Sequence, residues 1–596
     1  MRTQSFEVAA LHRAYAGGIT PAAVVDEVFA RILRSGDDGI FLALTPPERL
    51  HAEAAALGAF DPGRPLWGVP VAVKDNIDVA GLPTTCACPA FAHVAAEDAA
   101  AVAALRRAGA LIVGKTNLDQ FATGLVGVRT PYPVPVNPHD ASRIPGGSSS
   151  GSAVAVARGI VGLALGTDTA GSGRVPAGLN NIVGLKPSLG LVSTRGVVPA
   201  CRSLDCVSVF ALTVADAWTG LRAIADLDAT DPYSRPLPAP KLATLPDRPR
   251  VGVPAAGSRQ FFGDADAEAG YDAALRDLAR LGAEIVPLDF APLHEVAALL
   301  YEGAWVAERQ AALADFLAAA PGALHPVTAG IIGAAERLSA ADAFRGFYRL
   351  QGLRRAADAL MAEVDLLAVP TVPRFYTLAE VADEPVAANS RLGTYTNFVN
   401  LLDLCGLAVP TRPRPDGLPG GVTLLAPAGA DGLLAPLGAA LHAAAHVTLG
   451  ATGWTPHGRL PPAPPAGAGV EVVVVGAHMR GMPLNPELVA RGGRFLREVR
   501  TAPCYRLYAL PGANPPKPGL LRARDGGASI EAELWRLDPA AFGALVATLP
   551  APMSIGTVLL DDGSAAKGYL VEAAAIAAAP EITRHGGWRA SLTAEA

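Results

Sequence analysis

A proline-rich segment near residue 460 sets the first limit on how this chain folds. Proline has no backbone N–H and a fixed φ, so a crowded run of prolines continues neither a helix nor a central strand. The segment therefore favours a linker. It predicts a large domain over residues 1–455, a linker over 456–469 and a small domain over 470–596. The prolines concerned are Pro456, Pro461, Pro462, Pro464 and Pro465.

The composition fits globular domains of this size. The 596 residues are 51% hydrophobic and 17% charged, which is too apolar for a disordered chain. A net charge of −6 argues against a nucleic-acid partner, which requires a basic face. The apolar stretch Ala153–Gly166 is short and contains Arg158, whereas a membrane span needs about 20 largely uncharged residues. We expect neither a nucleic-acid nor a membrane partner.

The six cysteines are too sparse for a disulfide framework. Cys86 and Cys88, and Cys201 and Cys206, have no zinc-type spacing and no neighbouring histidine. We therefore expect reduced, mostly buried thiols, no metal and no cofactor. Residues 1–7 lack the apolar core of a secretory signal, so the expected location is cytoplasmic.

Helix and strand signals alternate through the first domain. This alternation predicts an α/β fold with a mixed, helix-covered sheet. The predicted helices are 8–60 and 98–108, and the predicted strands 68–74, 110–114 and 364–369. The small domain has strand signals at 470–476, 504–510 and 532–537, which predict an α+β fold.

Lys74 is a candidate general base. The chain has only six lysines, and this one follows the apolar run Val69–Val73. A buried lysine can lose its proton near neutral pH, whereas arginine cannot. The other interpretation is a surface charge at a strand end.

Two segments of small residues supply candidate serines. Residues 146–152 form a Gly/Ser run before the helical stretch Ala153–Ala157, and residues 166–174 place Ser172 among small residues. Backbone N–H groups in such a turn are able to converge on one oxygen, which is what an oxyanion hole requires. A flexible loop and a plain structural turn are the alternatives. The predicted oxyanion hole comprises Thr169, Ala170, Gly171 and Ser172.

These features together resemble the amidase signature family over roughly residues 1–450. The resemblance implies that Ser172 is the nucleophile, that Ser148, after a cis peptide bond, relays the proton, and that Lys74 is the base. It is carried by Val73–Asn76, Gly146–Ser149, Gly166–Asp168 and Gly171–Arg174.

Departures from the general pattern resemble the allophanate hydrolase branch of that family. Ser150 and Ser152 stand where glycines are common, Thr169–Gly171 precedes the nucleophile, and Asp119–Leu125 matches the branch. The resemblance implies hydrolysis of urea-1-carboxylate, a small anionic amide, in urea or cyanuric acid breakdown. We also expect a homodimer.

The substrate carboxylate needs a cation or several donors. Tyr301 and Arg309 resemble the branch's carboxylate-binding pair, and Thr123 and Gly124 are further substrate-binding candidates. On a straight helix Tyr301 and Arg309 would lie about 12 Å apart along the axis and about 80° around it. They would converge only if the helix bends or the substrate lies between them. The alternative is a core tyrosine and an arginine paired with an acid.

Residues 476–485 follow the first strand of the small domain. They resemble the C-terminal domain of allophanate hydrolases, which is similar to gamma-glutamyl cyclotransferases and is linked to decarboxylation of the first product. His478 in this segment is interpreted either as an acid–base or carboxylate-binding group, or as a buried, hydrogen-bonded histidine.

Three alternatives to this function stay open. The first is an amidase of other specificity. The second is the amidase component of a transfer-RNA amidotransferase, which would need a nucleic-acid-binding partner and leaves the C-terminal domain unexplained. The third is a catalytically inactive binding scaffold, against which intact Lys74, Ser148 and Ser172 argue.

Overall fold

The computed structural model describes residues 3–246, 248–303, 305–320, 322–460 and 469–594. They divide into two compact units. The first contains the described residues up to Pro240 and from Pro249 to Leu460. The second contains the described residues of Lys241–Arg248 and of Pro462–Ala596.

A mixed sheet of eleven strands forms the centre of the first unit, in the order β1-β5-β2-β6-β8-β7-β12-β13-β11-β9-β10. The short pair β3 and β4 forms a separate ribbon. The strands are β1 Phe41–Leu44, β2 Pro70–Lys74, β3 Pro83–Thr84, β4 His93–Val94, β5 Leu111–Thr116, β6 Leu163–Asp168, β7 Val183–Lys186, β8 Cys206–Ala211, β9 Arg250–Pro254, β10 Glu284–Leu288, β11 Leu366–Pro370, β12 Leu404–Thr411 and β13 Gly420–Pro427.

Helices pack around this sheet, which confirms the predicted α/β class. They are α1 Val8–Ala16, α2 Pro21–Ser35, α3 Pro47–Ala56, α4 Ala100–Arg107, α5 Ser150–Ala157, α6 Val175–Leu179, α7 Val214–Ile224, α8 Ala265–Arg280, α9 Ala291–Glu302, α10 Trp305–Ala319, α11 Pro326–Gly333, α12 Ala340–Ala362, α13 Leu378–Asp383, α14 Ala387–Leu392, α15 Asn397–Leu401 and α16 Asp431–Ala445. Short 3₁₀ turns lie at Pro89–Phe91, Gln120–Ala122, Ala256–Ser258 and Ala334–Arg337.

The prediction of an all-helical segment over residues 8–60 is wrong in its middle. Helix α2 begins as expected, with the Thr20 hydroxyl accepting from the N–H of Ala23 and proline at the first turn. It ends at Gly36, whose φ of +58° is left-handed. Strand β1 then pairs with β5 as the outermost strand of the sheet, before α3 begins.

The sheet places the functional segments side by side. Strands β2 and β6 are parallel neighbours, with Val73 opposite Leu165. Carboxyl ends of parallel neighbours meet at the same edge, so Lys74 at the end of β2 and Thr167 near the end of β6 come together there. Helix α5 is buried along its whole length and packs against β6.

The second unit is built on a five-stranded sheet in the order β15-β18-β14-β20-β19, which confirms the predicted α+β class. A separate ribbon pairs β16 with β17. The strands are β14 Val470–Val474, β15 Arg494–Arg500, β16 Tyr505–Ala509, β17 Pro518–Arg522, β18 Glu531–Leu537, β19 Met553–Leu559 and β20 Ala565–Val571. The helices are α17 Asn485–Ala490, α18 Pro539–Ala547 and α19 Trp588–Ala594, with 3₁₀ turns at Ala573–Ile576 and Thr583–His585.

The beginning of the predicted linker is packed on the first unit. The buried carboxylate of Glu7 accepts from the N–H groups of His457 (2.9 Å) and Gly458 (3.1 Å). Residues 456–460 therefore belong with the first unit rather than with a free connection. Residues 461–468 of the predicted linker lie outside the described residues.

In the described part of the chain, no helix combines the length and apolar character needed to cross a membrane. All six cysteines have free thiols. Five of them are buried, and Cys504 is half-buried.

Candidate active site

Lys74 is fully buried at the end of β2. Its Nζ donates to Ser148 Oγ (2.7 Å) and to Thr167 Oγ1 (2.8 Å). Burial lowers the pKa of Lys74 to about 7, although Asp119, Asp205 and Asp168 oppose the shift. Near neutral pH a large fraction of this amine is therefore uncharged and able to accept a proton. Burial rules out the surface-charge interpretation.

Ser148 follows a cis peptide bond with Gly147. Its carbonyl accepts from the N–H of Asp119 (3.0 Å), and the N–H of Gly147 donates to the carbonyl of Leu125 (2.8 Å). The Gly/Ser run is thus a fixed, buried loop at the start of α5 rather than a flexible linker. It aims the Ser148 hydroxyl at the lysine.

The turn after β6 is shaped by a buried ion pair. Arg174 donates to both carboxylate oxygens of Asp168 (2.8 and 2.9 Å). Burial alone would raise the pKa of Asp168, but Arg174 holds it below its usual value. Gly171 has a φ of +126°, and a Cβ there would lie 2.4 Å from Thr396 Oγ1, so only glycine fits. The Ser172 hydroxyl donates to the carbonyl of Gly124 across 3.4 Å.

The predicted oxyanion hole needs one change. The N–H of Gly171 donates to Asp168 Oδ1 (2.9 Å) and is therefore engaged. The N–H groups of Thr169, Ala170 and Ser172 donate to no acceptor among the residues that the structure describes. These three stay candidates for binding a developing oxyanion.

The Asp205 carboxylate holds the turn after β6 through a hydrogen bond from Thr169. It accepts from the Thr169 hydroxyl and from the N–H groups of Ala200 (2.9 Å) and Cys201 (3.2 Å). Burial raises the pKa of Asp205 to about 6, against the effect of these hydrogen bonds. Sequence reasoning missed Asp205, because nothing local in Leu204–Cys206 points to a turn 36 residues earlier.

Tyr301 and Arg309 are brought together by a break between two helices. Helix α9 ends at Glu302, Gly303 is extended, and α10 begins at Trp305. The Arg309 guanidinium carbon lies 5.4 Å from the centre of the Tyr301 ring. In the described part of the chain Arg309 has no carboxylate within ion-pair distance, so the acid-paired alternative is not what the structure shows. Tyr301 also packs against the main core.

Thr123 and Gly124 connect this pair to the serine. Arg309 Nη1 donates to Thr123 Oγ1 (3.2 Å), and the carbonyl of Gly124 accepts from Ser172. A Cβ on Gly124 would lie 2.6 Å from Asp119 Oδ2, which explains the glycine. Arg309, the predicted cation, is thus connected to Ser172, the predicted nucleophile, through the two adjacent residues Thr123 and Gly124.

Two further residues of this region were not found from the sequence. Thr167 accepts from Lys74, and Arg129 Nη1 donates to the carbonyl of Thr123 (2.9 Å). Arg129 follows the apolar run Leu125–Val128 just as Lys74 follows its own run, so the same signal was present.

In the second unit, His478 lines a cavity of about 580 Å³. Its ring stacks on Tyr569 at 4.9 Å, and its Nε2 lies 3.7 Å from a carboxylate oxygen of Glu487. Burial lowers the pKa of His478, and Glu487 opposes that shift. Arg491 and Lys517 also line the cavity.

The described residues contain no cluster of three or more His, Cys, Asp or Glu side chains suited to a metal ion.

Comparison with known proteins finds two family matches along the chain. A family model described as Amidase matches residues 23–435, and one described as Allophanate hydrolase C-terminal domain matches residues 470–593. The solved structure of Kluyveromyces lactis allophanate hydrolase is 42% identical with a TM-score of 0.75, and the match covers 99% of each chain.

Curated relatives add two comparisons. Urea amidolyase of Saccharomyces cerevisiae is 44% identical over 542 residues, 88% of this chain but only 29% of the relative. This chain thus spans less than a third of that protein. A glutamyl-tRNA(Gln) amidotransferase component from Koribacter versatilis is 33% identical over 441 residues, 68% of this chain and 91% of the relative. The chain therefore belongs to the amidase family, in the branch of the allophanate hydrolases, and carries their C-terminal domain.

Proposed function

We propose that this chain hydrolyses allophanate (urea-1-carboxylate) to ammonia and carbon dioxide. The observation that carries the proposal is the placement of a buried arginine without a carboxylate partner among the described residues, Arg309, beside the serine–lysine site through Thr123 and Gly124. A substrate with an amide at one end and a carboxylate at the other would place the amide at the serine–lysine site and the carboxylate at Arg309.

In the first step Ser172 attacks the terminal amide carbon. Its proton passes to Ser148 while the Ser148 proton passes to neutral Lys74, 2.7 Å away. The N–H groups of Thr169, Ala170 and Ser172 bind the oxyanion. The proton then returns through Ser148 to the leaving nitrogen, which departs as ammonia and leaves an acyl group on Ser172.

In the second step water replaces the amine. Lys74 accepts a water proton through Ser148, the hydroxide oxygen bonds to the acyl carbon, and the ester bond to Ser172 breaks. The Ser172 alkoxide recovers its proton by the same route. The product is N-carboxycarbamate, which bears two carboxylates on one nitrogen.

We propose that the second unit assists decarboxylation of this product. One C–N bond breaks, carbon dioxide leaves, and the nitrogen gains a proton to give carbamate, which decomposes to ammonia and carbon dioxide. His478, with Lys517 and Arg491 lining the same cavity, provides a proton donor and positive charge for a dianion.

The setting of the reaction is part of the proposal. Allophanate must come from a reaction that carboxylates urea or from the breakdown of cyanuric acid, and the urea amidolyase relatives favour urea. We further propose that the chain acts in the cytoplasm as a homodimer.

The experiment that tests the function is ammonia release by the purified chain from allophanate, glutamine and simple amides. Allophanate should be the preferred substrate. Ser172→Ala should reduce ammonia release by about 10³-fold or more while the circular dichroism spectrum is unchanged, because it removes the nucleophile.

Ser208→Ala is the matched control. Ser208 is a buried serine of β8 whose hydroxyl has no hydrogen-bond partner among the described residues, so its removal should leave turnover within about twofold. Turnover by Ser172→Ala at the unaltered rate would contradict the nucleophile. Preference for glutamine would favour the amidotransferase alternative, and inactivity on every amide would favour a binding scaffold.

A further inference from the structure

The loop of residues 119–129, here called the Gly124 loop, carries both Thr123 and Gly124. The Asp119 carboxylate holds it by accepting from the N–H groups of Gly127 (2.9 Å) and Arg129 (2.9 Å). Phe121 and Ala122 have φ values of 50° and 52°, in the left-handed region that non-glycine residues seldom occupy. The loop therefore keeps this shape only because other contacts fix it.

The Arg129 side chain is one of those contacts. It is 2% exposed, and besides Thr123 it reaches another segment of the first unit, since Nη2 donates to the carbonyl of Pro385 (2.7 Å). Among the described residues it has no ion pair with a carboxylate, and its Nε has no hydrogen-bond partner. A buried guanidinium held only by neutral carbonyls retains most of its electrostatic effect on its surroundings.

Two buried arginines, Arg129 and Arg309, both donate hydrogen bonds to Thr123. Arg129 donates to its carbonyl and Arg309, which is 1% exposed, donates to its hydroxyl. Nε and Nη2 of Arg309 and the Tyr301 hydroxyl also lack partners in the described part of the chain. Two buried positive charges and several unused donors thus surround one residue, and among the described residues neither arginine pairs with a carboxylate.

Carboxylates act on these cations only from a greater distance. Burial lowers the pKa of Arg129. The positive charge of Arg309 lowers the same pKa further, while the Asp119 carboxylate opposes both effects. A guanidinium still keeps its proton at neutral pH, so both charges persist. Bringing a small anion to this place would satisfy donors and reduce the repulsion between the two arginines.

We propose that Arg129 is a positioning residue that determines specificity: through Thr123 it fixes the Gly124 loop, and its charge makes the site select an anionic amide over a neutral amide of the same size. This inference rests on the proposed function, whose substrate it explains. In this proposal Arg309 contacts the substrate carboxylate, whereas Arg129 acts indirectly, through Thr123 and through its charge.

The test compares binding of allophanate, an anion, with binding of biuret, the corresponding neutral amide. Dissociation constants are measured by calorimetry in the Ser172→Ala background, so turnover is not needed. Arg129→Gln keeps hydrogen-bond donors without charge, and Arg129→Lys keeps charge without the planar fork. We expect the preference for allophanate over biuret to fall by about tenfold or more in Arg129→Gln and to stay within about threefold in Arg129→Lys.

Two further variants calibrate the result. Arg309→Ala should also lose the preference, by weakening allophanate binding while biuret binding changes little. Arg354→Met removes a half-buried arginine of α12 that donates to the carbonyl of Leu401 (2.7 Å), and it should leave the preference unchanged.

Equal loss of both ligands in Arg129→Gln and Arg129→Lys would overturn the inference, because it would show that Arg129 only holds the loop. An unchanged preference in Arg129→Gln would overturn it as well. If Arg129→Gln does not fold, Arg129→Met is assessed by the same criteria. Failure of the proposed function is distinguishable, since it appears as absence of allophanate turnover in the unaltered chain.

Discussion

Lys74 is the residue whose protonation decides whether the serine is activated. Burial lowers its pKa to about 7, so the neutral form grows as pH rises through that value. We expect kcat/KM for ammonia release to rise with pH along a limb centred near pH 7. Lys74→Arg should be as inactive as Lys74→Ala, because arginine stays protonated and cannot serve as the base.

The measurement is a pH–rate profile of the unaltered chain and of the two variants. Lys115→Arg is the control, since Lys115 is another buried lysine that pairs with Asp75 at 3.1 Å and does not contact the serines. Substantial activity in Lys74→Arg would mean that position 74 supplies only a positive charge. A profile flat between pH 6 and 8 would contradict a base with this pKa.

At the scale of elements, Asp216 connects α7 to the first residue of α1. Asp216 of α7 is buried, accepts from the N–H of Val8 (3.2 Å), and leaves Oδ2 without a hydrogen-bond partner among the described residues. Burial, with a smaller contribution from Glu7, raises the pKa of Asp216 to about 7. Its ionised form is therefore the destabilising one in the folded chain.

Asp216 makes the free energy of unfolding fall as pH rises. An acid whose pKa is raised on folding favours the fold below its unfolded value, 3.8, and loses that contribution as pH rises through 7. This residue should lower the free energy of unfolding by up to about 1.4 kcal/mol for each pH unit in that range. Asp216→Asn should remove the dependence and be more stable than the unaltered chain at pH 8.

Thermal unfolding at pH 5 and pH 8 measures this difference. Asp231→Asn is the contrasting variant: burial would raise the pKa of Asp231, but hydrogen bonds from the N–H groups of Tyr233 (2.9 Å) and Thr194 (2.7 Å) hold it below its usual value. That variant should be destabilised at pH 8. A lower melting temperature for Asp216→Asn at pH 8 would show that the ionised carboxylate stabilises the helix contact.

The helices also show what the sequence was able to predict. Strand periodicity and helix caps depend on neighbouring residues, so β2, β5, α4 and the start of α2 lie within a few residues of expectation. Strand β1 was missed because four residues at a sheet edge give little periodic signal, and their pairing with β5 is long-range.

The site shows the same limit. Serine and lysine candidates were visible as motifs, but the pairing of Tyr301 with Arg309 depends on a helix break near Gly303. The separation calculated for a straight helix therefore does not apply, and the bend that convergence required is present. Asp205 and Arg129 act through contacts with Thr169 and Thr123 that only the tertiary fold creates.

At the scale of the whole molecule, the first unit contains every residue proposed for amide cleavage. A chain shortened after Leu460 keeps His457 and Gly458 on Glu7, whereas a cut after Thr455 would leave that buried carboxylate without these donors. The shortened chain should fold and release the first ammonia from allophanate at a rate within about tenfold of the full chain, or about 1.4 kcal/mol of barrier.

His478→Ala in the full chain completes the comparison. It should leave the first ammonia unaffected and slow the second, because the cavity that His478 lines lies in the second unit. The measurement is a time course of ammonia per allophanate, with carbon dioxide followed in parallel. A shortened chain that folds but releases no ammonia would show that the second unit completes the amidase site. Slowing of the first ammonia by His478→Ala would contradict separate roles for the two units.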